Sequence, residues 1–256
     1  MKRKLLRIAV ALAGAYFLTA CAVESFLHTP KRALAVVRAR DLAPGNDRTL
    51  TYRIYLGSLI PFGTITITRT RRDGAPAYAI EALSRGSVAH AFIDARAAFA
   101  SLFDAATGMP QRYVETTRVN GKTKSKSIIF DRQTLTAASG ERRIKITPQT
   151  YDPVGGFMAV LERPFTDNRT ETVEMLSKRD IYVLKAHKKA RTDGALKVGI
   201  DVHRADATSN HGATFDVWLT REQPRVPLLF RSWTPAGFVT VILTDIRPAD
   251  KEEAGS

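Results

Sequence analysis

One short region of the sequence combines residue types that bind metal ions. Asp201 and His203 alternate, so on a strand their side chains would share one face, and Asp206 and His211 follow closely. Carboxylate and imidazole groups are ligands of divalent cations, so this spacing would suit a weak metal site. Such residues more often form a solvated strand face that leads into a polar loop. We therefore expect no metal site here and no cofactor.

Sequence signatures of catalytic sites are missing from the chain. It contains no Gly-x-Ser-x-Gly elbow, no His-Glu-x-x-His pair and no complete phosphate-binding loop of the pattern Gly-x-x-x-x-Gly-Lys-Ser/Thr. No acidic residue stands in an apolar context that would raise its pKa, as general acid catalysis by a carboxyl group requires. We therefore predict no catalytic residues and no enzymatic activity.

The single cysteine, Cys21, ends a segment with the order of a secretory signal. A cationic start with Lys2, Arg3, Lys4 and Arg7 precedes an apolar run and then small residues. The apolar stretch from residue 8 to residue 23 has only 16 residues, whereas a membrane-spanning helix needs about 20. A cleaved signal is therefore favoured over a permanent anchor helix.

The tetrad Leu18-Thr19-Ala20-Cys21 resembles the lipobox of bacterial lipoproteins, whose signal is cut before a lipidated cysteine. The resemblance implies that residues 1–20 are a signal peptide and that Cys21 carries the lipid. Acyl chains contribute about 0.8 kcal/mol per buried methylene, so they would hold the protein on a membrane. In some bacteria an aspartate directly after the lipidated cysteine retains the lipoprotein in the inner membrane. Where this rule holds, Ala22 predicts sorting to the outer membrane, and otherwise the inner membrane stays open. The alternative is an ordinary signal peptide that is cut elsewhere.

Charge and length bound the exported part. Four of the formal +14 charges leave with the signal, so residues 21–256 have a net charge of +10. This length suits one larger all-β domain or two small domains. With its one cysteine committed to lipid, the chain has no internal disulfide and no cysteine-based metal site, which is compatible with the periplasm.

The pattern after the signal separates a linker from a β-rich domain. The sequence predicts a linker over residues 21–48, with one surface helix from Thr29-Pro30 to Leu42. From Thr49 the apolar residues alternate with polar ones, and tight-turn dipeptides such as Asn120-Gly121 recur up to residue 248. We predict one β domain over residues 49–248, built as an antiparallel sheet, a sandwich or a barrel, and a tail over 249–256. Further strands are predicted at 77–83, 87–93, 99–103, 112–119, 124–130, 142–147, 181–185, 197–203, 214–219, 228–233 and 238–246.

One segment departs from the β pattern. Asp152 is a good N-cap and Pro153 a good first helical residue, and Phe157, Met158 and Leu161 then share one apolar helix face. The sequence therefore predicts a helix over residues 152–161. Its apolar face either covers one side of a curved sheet or forms the lid of an apolar pocket.

Several short motifs in their order resemble the bacterial envelope proteins that carry domain of unknown function 3108. They cover about residues 50–247. The resemblance implies a secreted or lipid-anchored, mainly β domain: a curved antiparallel sheet or open half-barrel with one helix packed against it, distantly like the lipoprotein carriers. It implies no activity and no catalytic residues. The motifs are Tyr55 to Gly63, Gly108-Met109-Pro110, Phe130-Asp131, Asp152-Pro153, Trp218-Leu219, Pro224 to Pro227 and Gly237 before the last strand.

Two sets of residues are candidates for binding. The first would line an apolar groove beside the helix: Phe157, Met158, Leu161, Trp218, Phe230 and Trp233. The second would form a basic patch for an anionic partner: Lys122, Lys124, Lys126, Lys188 and Lys189. Lysines on a strand edge also serve simply to prevent aggregation. Nucleic acid is not expected, because no stacking aromatic residues are interleaved with the lysines.

Two functions remain open from the sequence. In the first, the protein is a lipid-anchored binding module for an apolar or anionic lipid-like ligand on the periplasmic side of the bacterial envelope. In the second, it is a structural lipoprotein that docks to another envelope component through its basic surface. The expected partners are therefore a membrane, contacted through the lipid anchor, and a lipid, lipopolysaccharide or another envelope protein.

Overall fold

A computed structural model describes residues 29–38, 47–56, 60–84, 94–192, 194–206, 212–234 and 237–249. The predicted signal peptide and Cys21 lie outside the described residues, as do the predicted strand 87–93, His211 and residues 250–256 of the tail.

The described residues form two helices and one sheet of fifteen strands. Helix α1 is Pro30–Arg38 and helix α2 is Pro153–Glu162. The strands are β1 Arg48–Leu56, β2 Ile60–Arg72, β3 Ala75–Ser84, β4 Ala95–Phe103, β5 Pro110–Val119, β6 Lys122–Asp131, β7 Thr136–Ser139, β8 Arg142–Lys145, β9 Thr150–Tyr151, β10 Thr170–Ser177, β11 Asp180–Thr192, β12 Ala195–Arg204, β13 Ala213–Thr220, β14 Pro227–Thr234 and β15 Gly237–Pro248.

From one edge of the sheet to the other, the strands follow the order β8-β7-β6-β5-β4-β3-β2-β1-β15-β14-β13-β12-β11-β10-β9. Neighbours are antiparallel except for the short parallel pair β9 and β10. The first and last of the described strands, β1 and β15, therefore pair in the middle of the sheet, and the sheet is open between β8 and β9. The predicted mainly β fold, an open antiparallel sheet with a helix packed against it, is confirmed.

Alternation in the sequence sets which residues of the sheet face α2. Each strand presents every second residue to one face, and the register aligns these residues across the first six strands. Leu50 and Tyr52 continue the α2-facing side along β1, where both are buried. One lateral row on this face consists of Arg48, Arg69, Tyr78, Ser101, Tyr113 and Ile128.

Within the described residues, three apolar clusters make up the core, and α2 contacts all of them. Met158, in the middle of the helix, packs against each cluster. Close approach of the helix depends on its two glycines: a Cβ at Gly155 would stand 2.8 Å from Cζ of Phe103, and one at Gly156 would stand 3.2 Å from Cβ of Met175. The helix predicted over 152–161 is thus confirmed, and it fills the centre of the fold.

Helix α1 packs on the opposite face of the sheet. Its buried Ala33 and Leu34 belong to the cluster of Trp218, whereas Val217 and Leu219, which alternate with Trp218, belong to a cluster with α2. The sequence predicted this helix to continue to Leu42. The structure describes it as far as Arg38.

Candidate functional site

Asp152 fixes the N-terminus of α2. Its Oδ1 accepts hydrogen bonds from the backbone N–H groups of Val154 (2.8 Å) and Gly155 (2.9 Å), and Ser101 Oγ on β4 donates to Oδ2 at 2.5 Å. The side chain is fully buried, and this burial raises the pKa of its carboxyl group. The prediction that no acidic residue stands in an apolar context is therefore wrong for Asp152. The sequence indicated only that Asp152 caps a helix, and the contact with Ser101 on β4 that accompanies its burial joins residues 51 positions apart.

Arg225 holds the other end of α2. From the loop before β14 its Nη1 donates to the carbonyl oxygens of Leu161 (3.3 Å) and Arg163, and its guanidinium lies 5.0 Å from the ring centre of Phe165. A cation suits this end, because the C-terminus of a helix carries partial negative charge. The helix is thus fixed at both ends by side chains from the sheet and its loops.

A small cavity lies between the C-terminal half of α2 and strands β1 to β3. Its volume is about 40 Å³. Its inner wall includes Leu50, Ile67 and Leu161, all at most 5 % exposed. Its outer wall is charged and partly exposed. The lining residues are Arg48, Leu50, Ile67, Arg69, Tyr78, Met158, Leu161, Glu162, Arg225 and Pro227. We call this space the α2 cavity.

The electrostatics of the α2 cavity differ between its two ends. Burial and the neighbouring Arg69 lower the pKa of Arg48. Burial raises the pKa of Tyr78, whose ring lies 5.9 Å from the guanidinium of Arg69. The cavity therefore joins an apolar inner end to a mouth that carries more positive than negative side chains.

Four of the six residues predicted to bind an apolar ligand come together at α2. Met158 and Leu161 line the α2 cavity. Phe157 and Phe230 do not line it. They pack against each other with ring centres 5.7 Å apart, and the ring centre of Phe230 lies 5.6 Å from that of Tyr52. These aromatic rings therefore belong to the core around the helix.

The two tryptophans lie elsewhere. Trp218 is on the opposite face of the sheet, with Lys197 at 4.7 Å and Arg231 at 5.5 Å from its ring centre. Trp233 is 58 % exposed near the end of β14 and contacts Phe238 at 4.1 Å between ring centres. Neither residue lines the α2 cavity.

The predicted basic patch is divided between strands that are not neighbours. Lys126 pairs with Glu115 at 2.7 Å, Lys188 pairs with Asp167, and Lys189 pairs with Asp216 at 2.6 Å. The other two members, Lys122 and Lys124, are exposed at the β5–β6 hairpin. The structure thus does not bring these five lysines together on one surface.

The possible metal ligands on β12 have other partners. Asp201 accepts a hydrogen bond from Thr214 Oγ1 at 2.8 Å and lies 3.8 Å from His187 Nδ1. Among the described residues, no three His, Cys, Asp or Glu side chains form a group that could hold a metal ion. In the same part of the chain, neither helix is long and apolar enough to cross a membrane.

A larger groove lies on the sheet face opposite to α2. Its volume is about 590 Å³, and its floor consists of small side chains such as Thr68, Ala79 and Ala100. Arg72, Arg112 and Arg247 stand around it. We call this the outer groove. Ala79, Ala100 and the arginines of this groove are exposed, in contrast with the buried apolar wall of the α2 cavity.

The arginines at the α2 cavity were not among the predicted site residues, although the sequence contains a signal for two of them. Arg48 is in phase with the inward-facing Leu50 and Tyr52, and Arg69 is in phase with the inward Ile67. A charged residue at an inward position of an alternating strand therefore marks this site. Arg225 lies in a loop, where alternation gives no such signal.

The family model described as "Protein of unknown function (DUF3108)" matches residues 51–244. No curated protein matches the sequence significantly. Among solved structures, the chain is similar to a beta-barrel-like protein of domain of unknown function DUF1849 from Brucella abortus, with a TM-score of 0.59 and 8 % identity over 80 % of this chain and 98 % of that one. At this identity the likeness concerns the fold alone.

Proposed function

We propose that this chain, which belongs to the DUF3108 family, is a binding module for a lipid-like ligand. The observation that carries the proposal is the α2 cavity, where a buried apolar wall meets a charged mouth. Binding sites for small molecules are typically apolar and concave, with a few polar groups that fix the orientation of the ligand. The α2 cavity has this arrangement at the centre of the fold.

The size of the cavity sets a condition on the proposal. A cavity needs roughly 10–15 Å³ of free volume to hold one water molecule, so a cavity of about 40 Å³ is too small for a whole acyl chain. An acyl chain must therefore displace part of the lining. Met158 is the side chain suited to this, because it is half-buried and methionine is flexible and unbranched.

Enlarging the cavity tests this proposal. We expect Met158→Ala to increase the affinity for a fluorescent fatty-acid probe, since the substitution opens the space that the acyl chain needs. Met175→Ala is the matched control: it removes the same side-chain atoms at a residue on β10 that does not line the cavity. Native mass spectrometry of the purified protein should show bound lipid. The proposal fails if the wild type takes up no probe and contains no lipid.

The proposed place of action is the periplasmic side of the bacterial envelope, with the chain anchored by lipid at Cys21. The support is the lipobox-like tetrad that follows a cationic and an apolar segment. Metabolic labelling with an alkyne fatty acid should mark the wild type and leave Cys21→Ala unmarked. Equal labelling of both proteins would contradict lipidation at this cysteine.

A scaffold role is the second candidate, and the exposure of Lys122 and Lys124 on the β5–β6 hairpin favours it. Crosslinking in isolated membranes should then recover one envelope component reproducibly from the wild type. Recovery should fall when both lysines are replaced by Glu. Recovery of no reproducible component would remove this candidate.

A further inference from the structure

Three arginines from separate parts of the chain meet at the mouth of the α2 cavity. Arg48 begins β1, Arg69 lies on β2, and Arg225 lies in the loop before β14. Arg48 and Arg69 are directly opposite in the antiparallel pair, so their Cα atoms are about 4.5–5.5 Å apart. The fold therefore places two like charges side by side.

The negative charge near these arginines does not balance them. Glu162, at the end of α2, is exposed, and within the described residues it forms no ion pair with Arg48 or Arg69 at 4.0 Å or less. The C-terminus of a helix supplies about half a negative charge. Among the described residues that line the cavity, three positive charges thus face about one and a half negative ones.

Capping of α2 explains only one of the three arginines. Arg225 donates to the last carbonyl oxygens of the helix. Arg48 and Arg69 line the mouth of the cavity instead, and the guanidinium of Arg69 lies 5.9 Å from the ring centre of Tyr78. Burial and the neighbouring Arg69 disfavour the charge of Arg48, and Glu162 offsets this only in part. An anion bound between them would relieve this repulsion, and a guanidinium group can bind an oxyanion through two parallel hydrogen bonds.

We propose that Arg48 and Arg69, assisted by Arg225, bind the oxyanion headgroup of a single-chain amphiphile whose hydrocarbon chain enters the α2 cavity. This inference rests on the proposed binding function and names the chemical class of its ligand. The headgroup is a carboxylate or a phosphate ester, and the chain extends from the charged mouth toward Leu50, Ile67 and Met158.

The test compares ligands that share a chain and differ in charge. Binding of oleate and of neutral monooleoylglycerol is measured by displacement of a fluorescent fatty-acid probe, below the concentrations at which either lipid aggregates. Arg48→Gln/Arg69→Gln should weaken oleate binding by about ten- to a hundredfold, since hydrogen bonds to charged groups are lost. It should leave monooleoylglycerol nearly unchanged. Arg247→Gln is the matched control, because this exposed arginine stands at the outer groove.

The outcomes separate the two proposals. If the wild type binds neither lipid, the proposed binding function fails. If it binds both lipids equally well and the double variant behaves like the wild type, the headgroup assignment is overturned while the binding function stands. Inorganic phosphate is the third ligand tested. Weak competition of phosphate with oleate that disappears in the double variant supports the headgroup assignment. Phosphate binding tighter than oleate binding would overturn the proposal that the ligand is an amphiphile.

Discussion

Ser101 on β4 donates a 2.5 Å hydrogen bond to the buried carboxyl group of Asp152, the residue that caps α2. This contact ties the helix to the sheet at one end, as Arg225 does at the other. Ser101→Ala leaves that carboxyl oxygen without its donor, so we expect the free energy of unfolding to fall by about 1–3 kcal/mol. Urea titration of both proteins measures the difference. An unchanged midpoint would show that this bond does not support the helix.

Burial raises the pKa of Asp152, and this shift gives stability a pH dependence. The folded state binds the proton more tightly than the unfolded state, whose pKa is about 3.9. The contribution of Asp152 is therefore fully present below that value and is lost as pH rises through the folded pKa. Asn caps helices well without titrating. The stability of the wild type relative to Asp152→Asn should thus decline from pH 4 upward in urea titrations. A difference that grows with pH would contradict the shift.

Gly155 lets α2 approach the ring of Phe103. Alanine is better than glycine in a helix by about 1 kcal/mol, but its Cβ would lie 2.8 Å from Phe103 Cζ. Overpacking costs about 1–3 kcal/mol, so Gly155→Ala should lower the melting temperature. Phe103→Leu in the same chain should recover part of the loss. If Gly155→Ala is more stable than the wild type, the approach of the helix is looser than described.

The two tryptophans should report opposite environments. Trp218 is 8 % exposed and Trp233 is 58 % exposed. Trp233→Phe should therefore keep a blue-shifted emission that acrylamide quenches poorly, and Trp218→Phe should leave a red-shifted, readily quenched emission. The reverse assignment would mean that the face of β13 is misplaced.

Arg48 and Arg69 should contribute little to stability. Replacing either by Gln removes repulsion and breaks no ion pair among the described residues. We expect an unchanged or higher melting temperature, with any gain shrinking in 1 M salt because salt screens the repulsion. Arg132 is the contrasting residue, since its guanidinium donates to the carbonyl oxygens of Thr147, Pro148, Thr150 and Pro110. Arg132→Gln should cost about 2 kcal/mol or more. A clear loss in Arg48→Gln would indicate a structural role for this arginine.

Much of the local structure could be predicted from the sequence, because it depends on neighbouring residues. Every predicted strand within the described residues coincides with an observed strand. The positive φ angles of Asn120 (48°) and Gly121 (79°) confirm the predicted hairpin. The Asp152-Pro153 start located α2. Strands β7, β9 and β10 were not predicted: β9 has only two residues, and β7 only four.

The arrangement of the site depends on distant residues and could be predicted only in part. Pairing of β1 with β15 joins segments almost two hundred residues apart, and alternation cannot reveal it. Alternation also separates Trp218 from Val217 and Leu219 without showing which face meets α2. Of the residues predicted to line an apolar groove, only those that lie on α2 or face it therefore come together in the structure.

The α2 cavity as the ligand site is tested most directly by photocrosslinking. A fatty acid that carries a diazirine near the end of its chain is bound to the wild-type protein, irradiated, and mapped by peptide mass spectrometry. We expect the label on peptides that contain Leu50, Met158 or Leu161, the lining of the α2 cavity. Labelling confined to Ala79 and Ala100, on the floor of the outer groove, would contradict the account.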